Sequence, residues 1–193
     1  MITFHEAARS LYGAYRLARF DPSGMAYMDT SARGFWNSFY AAVATLPFFL
    51  MLLVVDYLLE RSDDLVRFAA VQSIGYVIGW VLFPLVMVGI VRALDREPRY
   101  LGYVVAYNWG AVLQNAFYTP AALLVASSRP GLSAAGLLAI AVLAFVLFYT
   151  WFITRTALDI PAKTAALIVL LDVILSIFLS NVTDALIGGR TMG

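Results

Sequence analysis

The chain has no cysteine and a single histidine, His5, in 193 residues. The first absence excludes disulfides, thiol catalysis, thiolate-held zinc and iron–sulfur clusters. The second excludes bis-histidine haem and any histidine-built metal site within this chain, so no cofactor is expected. Charge is scarce: Asp, Glu, Lys and Arg make up 13% of the residues, and 13 basic against 12 acidic groups leave a formal net charge of +1. Without a basic surface, nucleic acid is not an expected partner. Lysine occurs once, at Lys163, and arginine is used everywhere else. That usage suggests a GC-rich, bacterial genome and says nothing about chemistry.

Enzyme signatures are missing as well. There is no GxSxG, HExxH, Walker loop or GxGxxG after a strand, and no serine has a histidine to activate it beyond His5 near the N-terminus. No enzymatic activity is expected. Long loops are absent too, which leaves no room for a soluble domain between the hydrophobic segments.

What the chain does have is apolar surface: 62% of residues are hydrophobic and the mean hydropathy is +0.83. Soluble chains are roughly half apolar and about a quarter charged, so most of this one must face lipid. A crossing helix needs about 20 apolar residues. Five windows qualify: Trp36 to Leu59, Phe68 to Val91, Tyr103 to Val125, Leu132 to Ile153, and Lys163 to Ile187. The expected fold is an all-α, polytopic membrane bundle of five helices over residues 35–193, preceded by a cytoplasmic segment, residues 1–34.

Orientation follows from basic residues in short loops. With the N-terminus inside, the inner side carries Arg9, Arg16, Arg19, Arg33, Arg92, Arg96, Arg99, Arg155 and Lys163, and the outer side only Arg61, Arg67, Arg129 and Arg190. The bias predicts a cytoplasmic N-terminus and a periplasmic C-terminus in an inner membrane. Aromatic residues agree, with Trp36, Tyr100, Tyr103 and Trp151 at the inner interface and Tyr57 and Tyr118 at the outer. In the first segment Phe4, Ala8, Leu11, Tyr15 and Ala18 recur at helical spacing until Asp21-Pro22-Ser23-Gly24 stops the pattern. Such a helix lies on the cytoplasmic leaflet, contacting membrane lipids, or packs on the ends of the bundle.

Asp172 is the sharpest polar feature, a carboxyl group within Leu167 to Leu175. Counted from Lys163 it sits near the bilayer midplane, where a charge costs roughly 2.5–3.5 kcal/mol on insertion scales. Asn108 reaches the same depth and is the expected hydrogen-bond partner. The pair is either a proton- or ion-linked site or an interhelical clamp. A second polar set, Asp56, Gln72, Gln114 and Asn115 together with Asn181, Thr183 and Asp184, is expected in the outer half of the membrane, as an outward vestibule or as ordinary helix ends. Gly75 and Gly79 form a GxxxG, and Ala135 and Ala139 a second small pair, suited to close helix packing within or between chains. Pro47 and Pro84 are expected to kink their helices.

Five spans, Tyr100-Leu101-Gly102-Tyr103 leading to Tyr107-Asn108-Trp109-Gly110 and Pro120, and Ile153 to Ala166 with the Pro161-Ala162-Lys163 entry into the last helix together resemble bacterial members of the Yip1-domain superfamily. The resemblance covers about residues 36 to 187 and implies a membrane module that acts through interactions. Two readings stand: a scaffold or accessory subunit with a membrane-protein partner or a second copy, and a small transporter or channel subunit using Asp172 and Asn108.

Overall fold

Local chemistry sets each helix boundary. The computed structural model describes residues 2–60, 64–128 and 134–188, and the regular structure within them is helical. Helix α1 (Phe4–Ala18) opens on a capping box: the Thr3 hydroxyl accepts from the Glu6 N–H at 3.2 Å while the Glu6 carboxylate accepts from the Thr3 N–H at 2.8 Å. It stops at Phe20, whose positive φ of 58° reverses the chain. A 3₁₀ turn (Pro22–Tyr27) follows, capped by Asp21, which also pairs with Arg16 at 2.5 Å. Helix α2 (Ala32–Ser38), capped by Ser31, is separated only by Phe39 from α3 (Tyr40–Glu60). Then come α4 (Leu65–Ala93), α5 (Tyr100–Ala126), α6 (Ala134–Leu158) and α7 (Ala162–Gly188). Residue 34 falls inside α2, and Arg61, Arg129 and Arg190 lie outside the described residues.

Four stretches are long and apolar enough to cross a membrane: α2 with α3, then α4, α6 and α7. The expected fifth, α5, does not meet that composition. Its length suffices at 27 residues, but tyrosines, Asn108, Trp109, Gln114 and Asn115 lower its hydropathy. The physical reason is its position. Helix α5 packs against α1, α2, α3 and α6, so from Gly102 to Gly110 every residue except Tyr107 is buried by protein.

The bundle therefore has two zones. Large exposed apolar side chains run from Leu65 to Leu85 on α4 and from Leu167 to Leu186 on α7. At 1.5 Å per residue each stretch covers about 30 Å, the thickness of a hydrocarbon core. Beyond that belt, at what we call the proximal end, the last residues of α4 and α6 and the first of α5 and α7 gather around α1, the 3₁₀ turn and α2. Most of the buried core lies in this proximal layer: Leu17, Met87, Val91, Tyr103, Tyr149, Ile153 and Leu158 are all at most 2% exposed.

Docking of α1 uses a face that overlaps its apolar stripe only in part, at Leu11 and Ala18, which pack against the core. Phe4 is 91% exposed and Ala8 and Tyr15 face outward, whereas Ser10, Gly13, Ala14 and Leu17 are buried. Small residues permit this contact. A Cβ on Gly24 would lie 2.5 Å from the Gly13 carbonyl oxygen, and Tyr149 Oη donates to the Ala14 carbonyl at 2.8 Å. Phe20 meets Phe152 edge to face at 5.4 Å.

Gly24→Val forces that contact apart and is expected to cost about 1–3 kcal/mol, measured as a lower unfolding midpoint in detergent, whereas Ala8→Val on the exposed face leaves the midpoint unchanged. A pH dependence follows from the same layer. The Thr3 N–H and hydroxyl hold Glu6 below its ordinary value. The Ser23 hydroxyl and N–H, with Arg16, do so for Asp21, as does Ser31 for Asp29. Depressed carboxylates stabilise the fold above their unfolded values and lose that contribution as pH falls through the folded ones. The midpoint is expected to drop below about pH 4, and the triple variant Glu6→Gln, Asp21→Asn, Asp29→Asn to flatten that drop.

Candidate functional site

Helix α7 repeats polar residues every three or four positions, at Asp172, Ser176, Ser180 and then Thr183 and Asp184. This spacing puts them along one face of the helix, a stripe that starts inside the belt and ends at its distal edge. Opposite lies α4. A Cβ on Gly75 would sit 2.7 Å from Thr183 Cγ2, and one on Gly79 would sit 3.7 Å from Leu179 Cδ2. The GxxxG thus serves the packing of α4 on α7 within one chain.

Helix α3 meets α4 at Tyr76. The Tyr76 hydroxyl donates to the Ala42 carbonyl at 2.5 Å, shares a 2.7 Å hydrogen bond with Thr45 Oγ1, and its ring stacks on Phe49 at 4.4 Å. Beside Tyr76 a cavity of about 490 Å³ separates the three helices, lined by Asp56, Gln72, Tyr76, Ser176, Ser180 and Asp184 among others. Asp56, Ser176, Ser180 and Asp184 are all exposed. Among the described residues the ion pairs are Arg16–Asp21, Arg33–Glu6 and Arg99–Asp159, all proximal, so neither groove carboxylate has a cation. Arg67, at the distal end of α4, donates instead to the Leu186 carbonyl.

The expected pairing of Asn108 with Asp172 does not form. Tyr107 takes that role, its hydroxyl donating to both Asp172 oxygens at 3.0 and 3.1 Å. Successive helical residues point about 100° apart, so Asn108 turns to α2 and donates to Ser38 Oγ at 2.8 Å. Ser38 in turn donates to the Phe35 carbonyl at 2.7 Å, and Asn108 Oδ1 is buried without a partner among the described residues. Depth also changes. The first five residues of α7 belong to the proximal layer, so Asp172 lies about 8 Å inside the belt edge at Leu167 rather than at its middle.

The outer polar set divides as well. Asp56, Gln72, Thr183 and Asp184 line the groove, but Gln114 donates to Thr150 Oγ1 on α6 at 3.0 Å and Asn115 to the Ala111 carbonyl at 2.9 Å. Both amides are spent on α5 and α6. Ser176, Ser180, Tyr76 and Tyr107 are the residues that sequence reasoning about single polar positions passed over. The four-residue recurrence starting at Asp172 was the available signal.

Chemically, the groove offers two carboxylates, the hydroxyls of Tyr76, Ser176, Ser180 and Thr183, and the Gln72 amide. No group of three or more His, Cys, Asp or Glu that could hold a metal occurs among the described residues. Searches of family models, of curated proteins and of solved structures found no match to this chain.

Tyr107→Phe leaves the Asp172 carboxylate without its donor, and Ser38→Ala leaves the Asn108 amide without its acceptor; each is expected to cost about 1–3 kcal/mol. Because the two contacts share no partner, the double variant should be additive within about 0.5 kcal/mol. A larger coupling energy from equilibrium unfolding in detergent would return Asn108 and Asp172 to one network.

Proposed function

We propose that this chain is an integral membrane scaffold or accessory subunit whose distal groove seats a transmembrane helix of a partner protein. One observation carries the reading: a polar cavity bordered by α3, α4 and α7 interrupts an otherwise apolar belt. Carboxylates facing hydrocarbon are costly, by roughly 2.5–3.5 kcal/mol each at the bilayer centre and less toward its edge. A partner helix that brings hydrogen-bond donors or a cation to Asp56 and Asp184 removes that cost. Small residues on α4 and the hydroxyls of α7 suit the contact.

The same reading has α5 as a fifth crossing, because α4 must be joined to α6 from one face of the belt to the other. It places α1 and α2 on the cytoplasmic side of a bacterial inner membrane, following the nine-to-four bias of basic residues. The outward residues Phe4, Ala8, Tyr12 and Tyr15 then meet the leaflet surface. The resemblance to Yip1-domain proteins supports a role in interaction without catalysis.

A second reading, a small transporter or channel subunit, draws on the stripe itself. Ser176 is one turn from Asp172, and its hydroxyl donates to the Asp172 carbonyl at 2.9 Å. Polar groups thus continue from the groove to the Asp172–Tyr107 pair, with Tyr107 in the place first given to Asn108.

The test uses a photocrosslinking residue at Ser180 in native membranes, with Leu170 on the lipid-facing side as control. A discrete protein adduct at Ser180 alone, lost in Asp56→Asn with Asp184→Asn, is the expected result. Adducts between two copies of the chain would make the partner a second protomer. If Ser180 gives none, and reconstituted vesicles show a proton or ion flux that Asp172→Asn abolishes, the transport reading replaces the scaffold.

A further inference from the structure

A second recess lies between α6 and α7, away from the distal groove and independent of the scaffold reading. It has a volume of about 260 Å³ and is lined by Leu147, Phe148, Trp151, Ala166 and Val169. No charged side chain lines it. Its position is at the proximal edge of the belt: Phe148 on α6 and Leu167 on α7, 62% and 66% exposed, are the last large lipid-facing residues before the proximal layer begins. Trp151 closes the recess on that side, its indole N–H donating to the Ala162 carbonyl at 3.0 Å and so tying the end of α6 to the start of α7.

Two cations stand immediately beyond. Arg155, one turn after Trp151, carries its guanidinium carbon 5.5 Å from the centre of that ring. Lys163 precedes Ala166 by three residues and so lies on the same side of α7. Both are exposed, and neither has an acidic partner among the described residues. The start of a 27-residue helix adds its positive dipole end at this point.

An apolar cleft at the edge of a hydrocarbon belt, closed by a tryptophan and followed by two unpaired cations, matches one kind of molecule. We propose that this recess binds an anionic glycerophospholipid, with an acyl chain along Phe148, Ala166 and Val169 and the phosphate between Arg155 and Lys163. Interfacial tryptophan fits the glycerol level. Basic residues near a membrane surface draw anionic lipid, and recesses with such residues between helices hold lipid headgroups.

The experiment is native mass spectrometry of the full chain, delipidated in detergent and titrated separately with dioleoyl phosphatidylglycerol and dioleoyl phosphatidylcholine. The wild type is expected to retain phosphatidylglycerol in preference. Arg155→Gln with Lys163→Gln, both at exposed positions and checked for folding by circular dichroism, should weaken that lipid on the order of 25-fold, about fivefold for each cation. Ala166→Phe, which fills the cleft, should weaken both lipids. Inorganic phosphate alone should leave the unfolding midpoint unchanged. Equal retention of the two lipids by the wild type, or undiminished phosphatidylglycerol binding in the double glutamine variant, would overturn the proposal. A midpoint shift with phosphate as large as with the lipid would overturn the acyl-chain half of it.

Discussion

The proximal half of α5 is the member against which the rest of the bundle is ordered. From Gly102 to Gly110 its residues are packed by protein on nearly all sides: α2 and α3 along one flank, α1 and α6 along another, and Phe83 of α4 against Tyr103 and Tyr107. Close packing of this kind rests on small side chains at the contacts. Gly110 accepts Ile153, since a Cβ there would lie 2.7 Å from Ile153 Cδ1, and Gly102 accepts Thr30, at 2.9 Å by the same measure. In lipid no hydrophobic force draws apolar helices together, so van der Waals contact and hydrogen bonds carry the association.

That concentration at one end leaves the other end sparse. Helix α3 contacts α5 and, thinly, α4, and the distal groove opens where its path separates from α7. The polar residues follow the same division. Several proximal hydroxyls bond within the chain, Tyr149 to the Ala14 carbonyl, Tyr100 to the Pro84 carbonyl and Tyr107 to Asp172, whereas Asn108 Oδ1 has no partner among the described residues. Among the described residues the distal carboxylates at Asp56 and Asp184 have no cation. The bundle is thus closely packed at its proximal end and carries a polar cavity at its distal end, the asymmetry on which the proposed scaffold role rests.

Several features were legible before any coordinate. The helical windows predicted from hydropathy agree with α3 to α7 to within a few residues, because continuous apolar runs between short charged turns admit few other arrangements. The GxxxG at Gly75 and Gly79, read from sequence as suited to close packing within or between chains, faces Thr183 and Leu179 of α7. Less legible was the partner of each polar group. Asn108 and Asp172 share a similar count from their helix starts, yet a one-residue offset rotates the side chain away, and rotation about a helix axis leaves no trace when every face is apolar. Gln114 and Asn115 were grouped with Asp56 by depth alone, although azimuth sends them to α6. For α1 the apolar stripe was a partial guide: Leu11 and Ala18 pack against the core, but the buried face also takes in Ser10, Gly13, Ala14 and Leu17, while Phe4, Ala8 and Tyr15 face outward.

Composition determined that the chain carries helices long and apolar enough to cross a membrane, and that it offers no cysteine and a single histidine. Such conclusions need only transfer energies summed along the chain, to which order and contact are immaterial. Tertiary structure decided which residues meet: Tyr107 with Asp172, Ser38 with Asn108, α1 with α5 and α6, and a groove at one end only. These depend on helix rotation and relative height, quantities fixed by the interlocking of side chains from segments far apart in sequence and carried by no single segment.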